Sequence, residues 1–192
     1  MRRLAGGSDA DGGASALTTV RATVNDPNSE VHAAAIRALG DWKTVDAAPA
    51  LLDLAKASSN PNDRGQCVRS ALRLAADSDA PAAQRLSICQ QAAGLIQQDD
   101  EKKQLLGALG SIKTTESLAL VVPFLEQAAT KEEASAATVA IAEALLKGGS
   151  AAEAAPKLIE PLQKVAQATS NADLTRRART ALRQAQNRAS GR

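Results

Sequence analysis

The sequence predicts an all-α, right-handed α-solenoid of about five helical hairpins. Three observations carry this expectation. Alanine supplies 43 of the 192 residues, while there is no Tyr, one Trp and one Phe. Apolar side chains recur three and four residues apart along most of the chain. Residues 36–55 align without gaps on residues 106–125, an offset of 70. Half of that offset is the length of one helical hairpin, and periods of this size mark stacked repeats that hide each apolar face against a neighbour. A β-sandwich or barrel would want Val, Ile, Tyr, Phe and Thr in place of Ala and Leu. An extended disordered chain would show fewer apolar residues and more net charge than +2.

In chain order, residues 1–13 are rich in Gly, Asp and Ser and read as a disordered tail. The repeat domain then spans 14–189. A first helix is expected over 14–24 and a second over 29–40, separated by Asp26-Pro27-Asn28-Ser29. The third, 44–58, is divided from the fourth, 63–77, by the breaker Ser58-Ser59-Asn60-Pro61-Asn62-Asp63. The fifth and sixth run over 81–98 and 100–111. Asp99-Asp100-Glu101 opens the sixth, where negative charge favours the helix N-terminus. The seventh, 114–129, and the eighth, 131–147, follow, and Lys147-Gly148-Gly149-Ser150 ends the eighth with a glycine available for a left-handed cap. The ninth, 151–169, carries Leu158, Leu162, Val165 and Thr169 on one stripe. The tenth, 171–189, opens on Ser170-Asn171 and carries Leu174, Ala178, Ala181, Leu182 and Ala185. Alanine suits such a stack, having the best helix propensity and letting backbones approach closely. The last two helices, from about 150, form a basic C-terminal capping pair.

The self-alignment fixes core expectations. Leu39 matches Leu109 and Leu52 matches Val122, so all four should be buried. Trp42 matches Ile112 and Phe124 matches Leu54, which makes both aromatics core residues. Cys67 and Cys89 lie equally far from the turn Asp77-Ser78-Asp79-Ala80. Equal distance puts them at one height in a hairpin, within about 10 Å of each other, the spacing of packed helices. They read as two small apolar residues, or, if the chain is exported, as a disulfide.

Asp26-Pro27-Asn28-Ser29-Glu30-Val31-His32-Ala33-Ala34-Ala35-Ile36-Arg37-Ala38-Leu39-Gly40 resembles the HEAT repeat, in particular the short bacterial form also found in bilin-lyase-like proteins. That motif reads Asp-Pro, a few residues, Val-Arg, then Ala-x-x-Ala-Leu-Gly. The resemblance covers about residues 14–189, as five hairpins, with later copies degenerate. One departure is His32, where the family carries Arg, so the Asp–Arg ladder that often ties neighbouring repeats is broken at that step. Residues 100–186 are also similar to the C-terminal HEAT segment of large multi-domain proteins of planctomycete-type bacteria, which raises the reading of a detached module.

The resemblance brings enzyme families to test. HEAT-type hydroxylases use several His-Glu pairs to hold two irons, and His32 is the one histidine here. It reads as a solvated residue near a helix start. HEAT-like DNA glycosylases need aromatics near the lesion, and both aromatics here are assigned to the core. The cysteines lack Cys-x-x-Cys spacing, no phosphate-binding glycine motif follows a strand, and Asp9-Ala10-Asp11-Gly12 lacks the later ligands of a calcium loop. No catalytic, cofactor or metal residue is therefore assigned. The longest apolar run, Leu118 to Leu125, is broken by Pro123 and too short to span a membrane. Arg2-Arg3 is followed by no apolar segment, so the chain is taken as cytoplasmic by default.

What remains is a non-catalytic protein-interaction scaffold. Side chains expected on the partner-binding concave face are His32, Arg37, Arg69, Arg73, Lys102 and Lys103. Charge is uneven: residues 147–192 hold nine Lys/Arg against three Asp/Glu. Arg176, Arg179 and Arg183 form a basic stripe opposite the apolar stripe of the last helix. It reads either as the polar outer face of a solenoid cap or as a site for an acidic partner or nucleic-acid phosphate. A third reading is an accessory domain tethered to an enzyme in a longer chain.

Overall fold

The computed structural model describes residues 9–24 and 26–191. Ten α-helices follow one another, and no strand occurs among the described residues. They are α1 (Asp9–Thr23), α2 (Ser29–Gly40), α3 (Ala48–Ala57), α4 (Pro61–Asp77), α5 (Ala82–Ala93), α6 (Asp99–Ser111), α7 (Thr115–Val121), α8 (Lys131–Lys147), α9 (Ala151–Ala168) and α10 (Ala172–Ala189).

The helix starts follow the side chains that satisfy free backbone N–H groups. Asn28 accepts from Glu30 and Val31, Asn60 from Asn62, and Asn171 from Asp173 and Leu174. At α6, Glu101 accepts from the backbone of Gln97 and Gln98 at 2.9 and 3.3 Å. At α7, Thr114 and Ser117 cap each other reciprocally.

Several boundaries differ from the sequence reading. Of the expected 1–13 tail, residues 1–8 lie outside the described residues, and α1 begins at Asp9. Gly12 and Gly13 cost a helix only about 1 kcal/mol each and do not stop it. The third and seventh helices are shorter because 3₁₀ turns take part of each span, Val45–Ala47 before α3 and Val122–Glu126 after α7. Pro123 lacks the N–H that would continue α7 as a regular helix. The expected left-handed cap after α8 is absent: Gly148 is extended, with φ −78° and ψ 167°. The expectation that Val122 is buried fails, since it is half-buried at the start of the 3₁₀ turn, while its neighbour Val121 takes the core place. Trp42 and Phe124 are likewise half-buried, packed against the core from its edge.

The helices form five hairpins in two layers. The even-numbered helices stack on one another from α2 to α10, and the odd-numbered helices pack behind them. Leu39 and Leu109, equivalent in the repeat, are completely buried, as are Leu51, Leu52, Leu106, Ile141, Leu158 and Leu162. Removing such side chains from water contributes about 1.5–3 kcal/mol each. The repeated glycine has a steric reason. A Cβ on Gly40 would lie 2.9 Å from Ser70 Oγ, and one on Gly110 would lie 3.1 Å from the backbone of Ala137. Each glycine lets the next even helix close in.

Cys67 and Cys89 are both buried, with free thiols. Burial pushes Cys67 up to about 11, helped by the nearby Asp63 carboxylate. Burial pushes Cys89 up to about 12 despite the Arg85 guanidinium. No described helix is long and apolar enough to cross a membrane.

Candidate functional site

The outer side of the even-numbered layer carries two adjoining clefts. The first, about 460 Å³, runs between α4 and α6, and Arg69, Ser70, Arg73, Gln104 and Gly107 line it. The second, about 410 Å³, runs between α6 and α8, and Lys103, Gly107, Gly110, Glu133, Ala136 and Ala140 line it. Gly107 belongs to both, so the two clefts flank α6 and meet across it at this residue, and together they make up the groove over α6.

The cations on this groove are positioned by neighbours. Arg69 lies 3.6 Å from the buried carboxylate of Glu101, which sits over Gly65. Arg73 reaches back to α2, donating to the carbonyls of Gly40 and Trp42, where positive charge suits a helix C-terminus. Lys103 stands 3.7 Å from Glu133 across the second cleft. Lys113, at the end of that cleft, donates to the Gly110 carbonyl. Burial and the nearby Arg85 hold its amine below the usual lysine range.

The structure therefore places Arg69 and Arg73 on the first cleft and Lys103 on the second, and leaves three expected residues apart. Lys102 turns to Asp99 in its own first turn, 2.7 Å away. Arg37 is exposed on α2 and lines neither cleft. His32 lies in a separate cleft of about 270 Å³ between α2, α3 and the start of α4. Its Nδ1 is 2.5 Å from the Val24 carbonyl and its Nε2 3.5 Å from Asp63, so the ring ties the end of α1 to α4. The broken ladder expected at His32 is thus replaced by a His–Asp contact between successive even helices. Gln104, Gly107, Ala136 and Ala140 were not among the expected groove residues. The signal for Gly107 was a glycine inside the helical run Leu105-Leu106-Gly107-Ala108-Leu109.

The His32 cleft also contains Asp63 and Cys67, a constellation that invites a nucleophile. Its chemistry does not support one. A reactive cysteine needs its thiolate, and both burial and Asp63 hold Cys67 in the thiol form. Among the described residues, no group of His, Cys, Asp and Glu could hold a metal ion.

A second surface lies at the C-terminal end. Arg176, Arg179 and Arg183 all line one shallow cleft of about 550 Å³ on α10, with Ser170, Thr175 and Thr180.

No curated protein and no solved structure matches the chain. Residues 3–72 match the family model of HEAT repeats. The matched segment runs from α1 into α4, and the hairpin stack continues beyond it to α10. Residues 3–72 are therefore similar to HEAT repeats, which typically serve as protein-binding scaffolds, and the helical hairpins that follow them continue the same stack.

Proposed function

We propose that the chain is a non-catalytic scaffold and that a protein partner lies in the groove over α6. One observation carries this reading. A Cβ added at Gly107 would meet nothing within 4 Å among the described residues. Glycine in a helix interior costs about 0.5–1 kcal/mol relative to alanine. Inside the chain, Gly40 and Gly110 repay that cost by letting a neighbouring helix approach, and Gly65 makes room for Arg69 and Glu101. Gly107 has no such neighbour, and it lies where the two clefts meet. A partner segment resting on α6 supplies the missing contact. Arg69, Arg73 and Lys103 beside it favour a segment with acidic side chains.

The test is a photo-crosslinking residue at Gln104, used in cells and read by mass spectrometry, with and without Gly107→Leu. One recurrent crosslinked protein, lost in the variant while helicity stays unchanged, is the expected result. A crosslinking pattern that ignores the Gly107→Leu change would refute the groove as the binding surface.

A further inference from the structure

We propose that the Arg176–Arg179–Arg183 ridge of α10 binds the phosphate backbone of duplex nucleic acid without regard to base sequence. The ridge is separate from the groove over α6 and stands or falls independently of it.

The first support is placement. The three arginines are three and four residues apart, so they share one face and rise about 4.5 and 6 Å along the axis. All three are exposed, and the opposite face, Leu174, Ala178, Ala181 and Ala185, is buried. The ridge is therefore held straight by a well-packed helix and needs no folding on binding.

The second support is charge. Elsewhere the guanidinium groups are mostly engaged within the chain. Arg69 faces Glu101, Arg73 and Arg85 cap helix carbonyls, and Arg177 pairs with Glu143. Arg179 and Arg183 have neither an ion pair nor a hydrogen bond among the described residues, and Arg176 has the neighbouring Asp173. Guanidinium forks match phosphate oxygens two at a time.

The third support is what surrounds the ridge. The cleft contains serine and threonine hydroxyls, and its one apolar side chain is that of Ala172. A protein partner would gain little there, because interface energy concentrates in buried aromatic and aliphatic anchors. Nucleic acid needs none, since its affinity comes from releasing condensed counterions. The same absence of aromatics removes the stacking platform that single strands use. Duplex backbone is the polyanion left, and guanidinium forks set on phosphate oxygens position a duplex without carrying sequence information.

Fluorescence anisotropy with a short labelled DNA duplex of arbitrary sequence tests this. With about three phosphates neutralised, affinity should fall about 40-fold between 50 and 200 mM salt. The triple variant Arg176→Gln, Arg179→Gln, Arg183→Gln should lose at least about tenfold at low salt, at unchanged helicity by circular dichroism. Arg37→Gln, an exposed arginine on α2, should bind as the parent does. Absence of duplex binding at low salt overturns the proposal. So does binding that survives the triple variant, or a polyglutamate peptide or a single strand that binds more tightly than the duplex.

Discussion

The joints between repeats differ in kind at the two ends of the stack. Toward the N-terminus cations on main-chain carbonyls do much of the fastening, beside the His32–Asp63 and Arg69–Glu101 contacts. Arg73 of α4 closes the C-terminus of α2 through Gly40 and Trp42. Arg85 of α5 closes α4 through the carbonyls of Ala75 and Ala76, at 2.5 and 2.9 Å, and reaches Ser111 of α6. Toward the C-terminus the joints rest on carboxylates. Glu132 of α8 accepts from the Ser170 amide, the Ser170 hydroxyl and the Thr169 hydroxyl. Glu143 of α8 accepts from Arg177 of α10 at 3.0 and 2.9 Å. One architecture is thus fastened by two chemistries. Carbonyls carry no titratable proton, whereas carboxylates do, so acid acts on the Glu132 and Glu143 fastenings and leaves those of Arg73 and Arg85 alone.

That contrast concerns the fastenings and leaves the core alone, and the largest expected effect tests the distinction. Leu39 and Leu109 hold equivalent, fully buried positions in two repeats of opposite halves. Truncating either to Ala should cost about 2–5 kcal/mol, the range for a buried Leu that leaves a cavity. Denaturant unfolding of Leu39→Ala and Leu109→Ala should give losses of similar size. A loss under about 0.5 kcal/mol, the scale of a surface change, at either site would mean that the repeats do not share one core.

How far these features are legible in the sequence depends on which physical variable sets them. Helix order was legible because period and breakers are local: Asn28, Asn60 and Asn171 mark starts whatever the chain packs against. The Gly40–Gly110 equivalence was legible because close approach of helices leaves a repeated glycine. The groove was legible only in part. Lys102 and Lys103 are adjacent, yet one turns to Asp99 and the other faces Glu133 across the cleft. Neighbouring residues sit about 100° apart around a helix, so a small error in rotation exchanges their roles. His32 followed the same logic, because its contacts with Val24 and Asp63 depend on how α1 and α4 meet around it. The 3₁₀ turn at Pro123 was signalled by the proline itself, but its effect on Val122 depends on the path the chain takes afterwards.

A smaller effect sharpens the comparison from within α8. Ser135 and Thr138 are fully buried in the C-terminal half, and neither hydroxyl has a hydrogen-bond partner among the described residues. An unsatisfied buried hydroxyl is a debit that an apolar side chain of similar shape removes. Ser135→Ala and Thr138→Val should each raise stability by about 1 kcal/mol, Ser135→Ala also gaining helix propensity. A midpoint that rises in denaturant titration supports this. A fall would mean that the hydroxyls are satisfied in solution.

The smallest effect is the one that discriminates best between the two ends, and it comes from acid. In the folded chain Glu132 lies below its ordinary value of 4.5 because the Ser170 backbone and the Thr169 hydroxyl donate to its charged form. Glu143 lies below the same value because Arg177 donates to it and attracts it, with Lys147 adding to the attraction and Asp173 opposing it. A carboxylate held down by folding contributes its full stability above the ordinary value and loses it as pH falls through the lower, folded value. Both carboxylates are partly exposed, so water screens the contribution and it stays modest. Arg73, bound to carbonyls, supplies no such term to the α2–α4 joint, where the carboxylate present is Asp63, facing His32 at 3.5 Å. Hydrogen exchange followed through the acid range should therefore show α10 losing protection at a higher pH than α2. Glu132→Gln and Glu143→Gln should weaken the α8–α10 joint at neutral pH and flatten its acid dependence, because the titrating groups are gone. Equal loss of protection in α2 and α10 would show instead that the stack opens as a single cooperative unit, with the two fastenings sharing one fate.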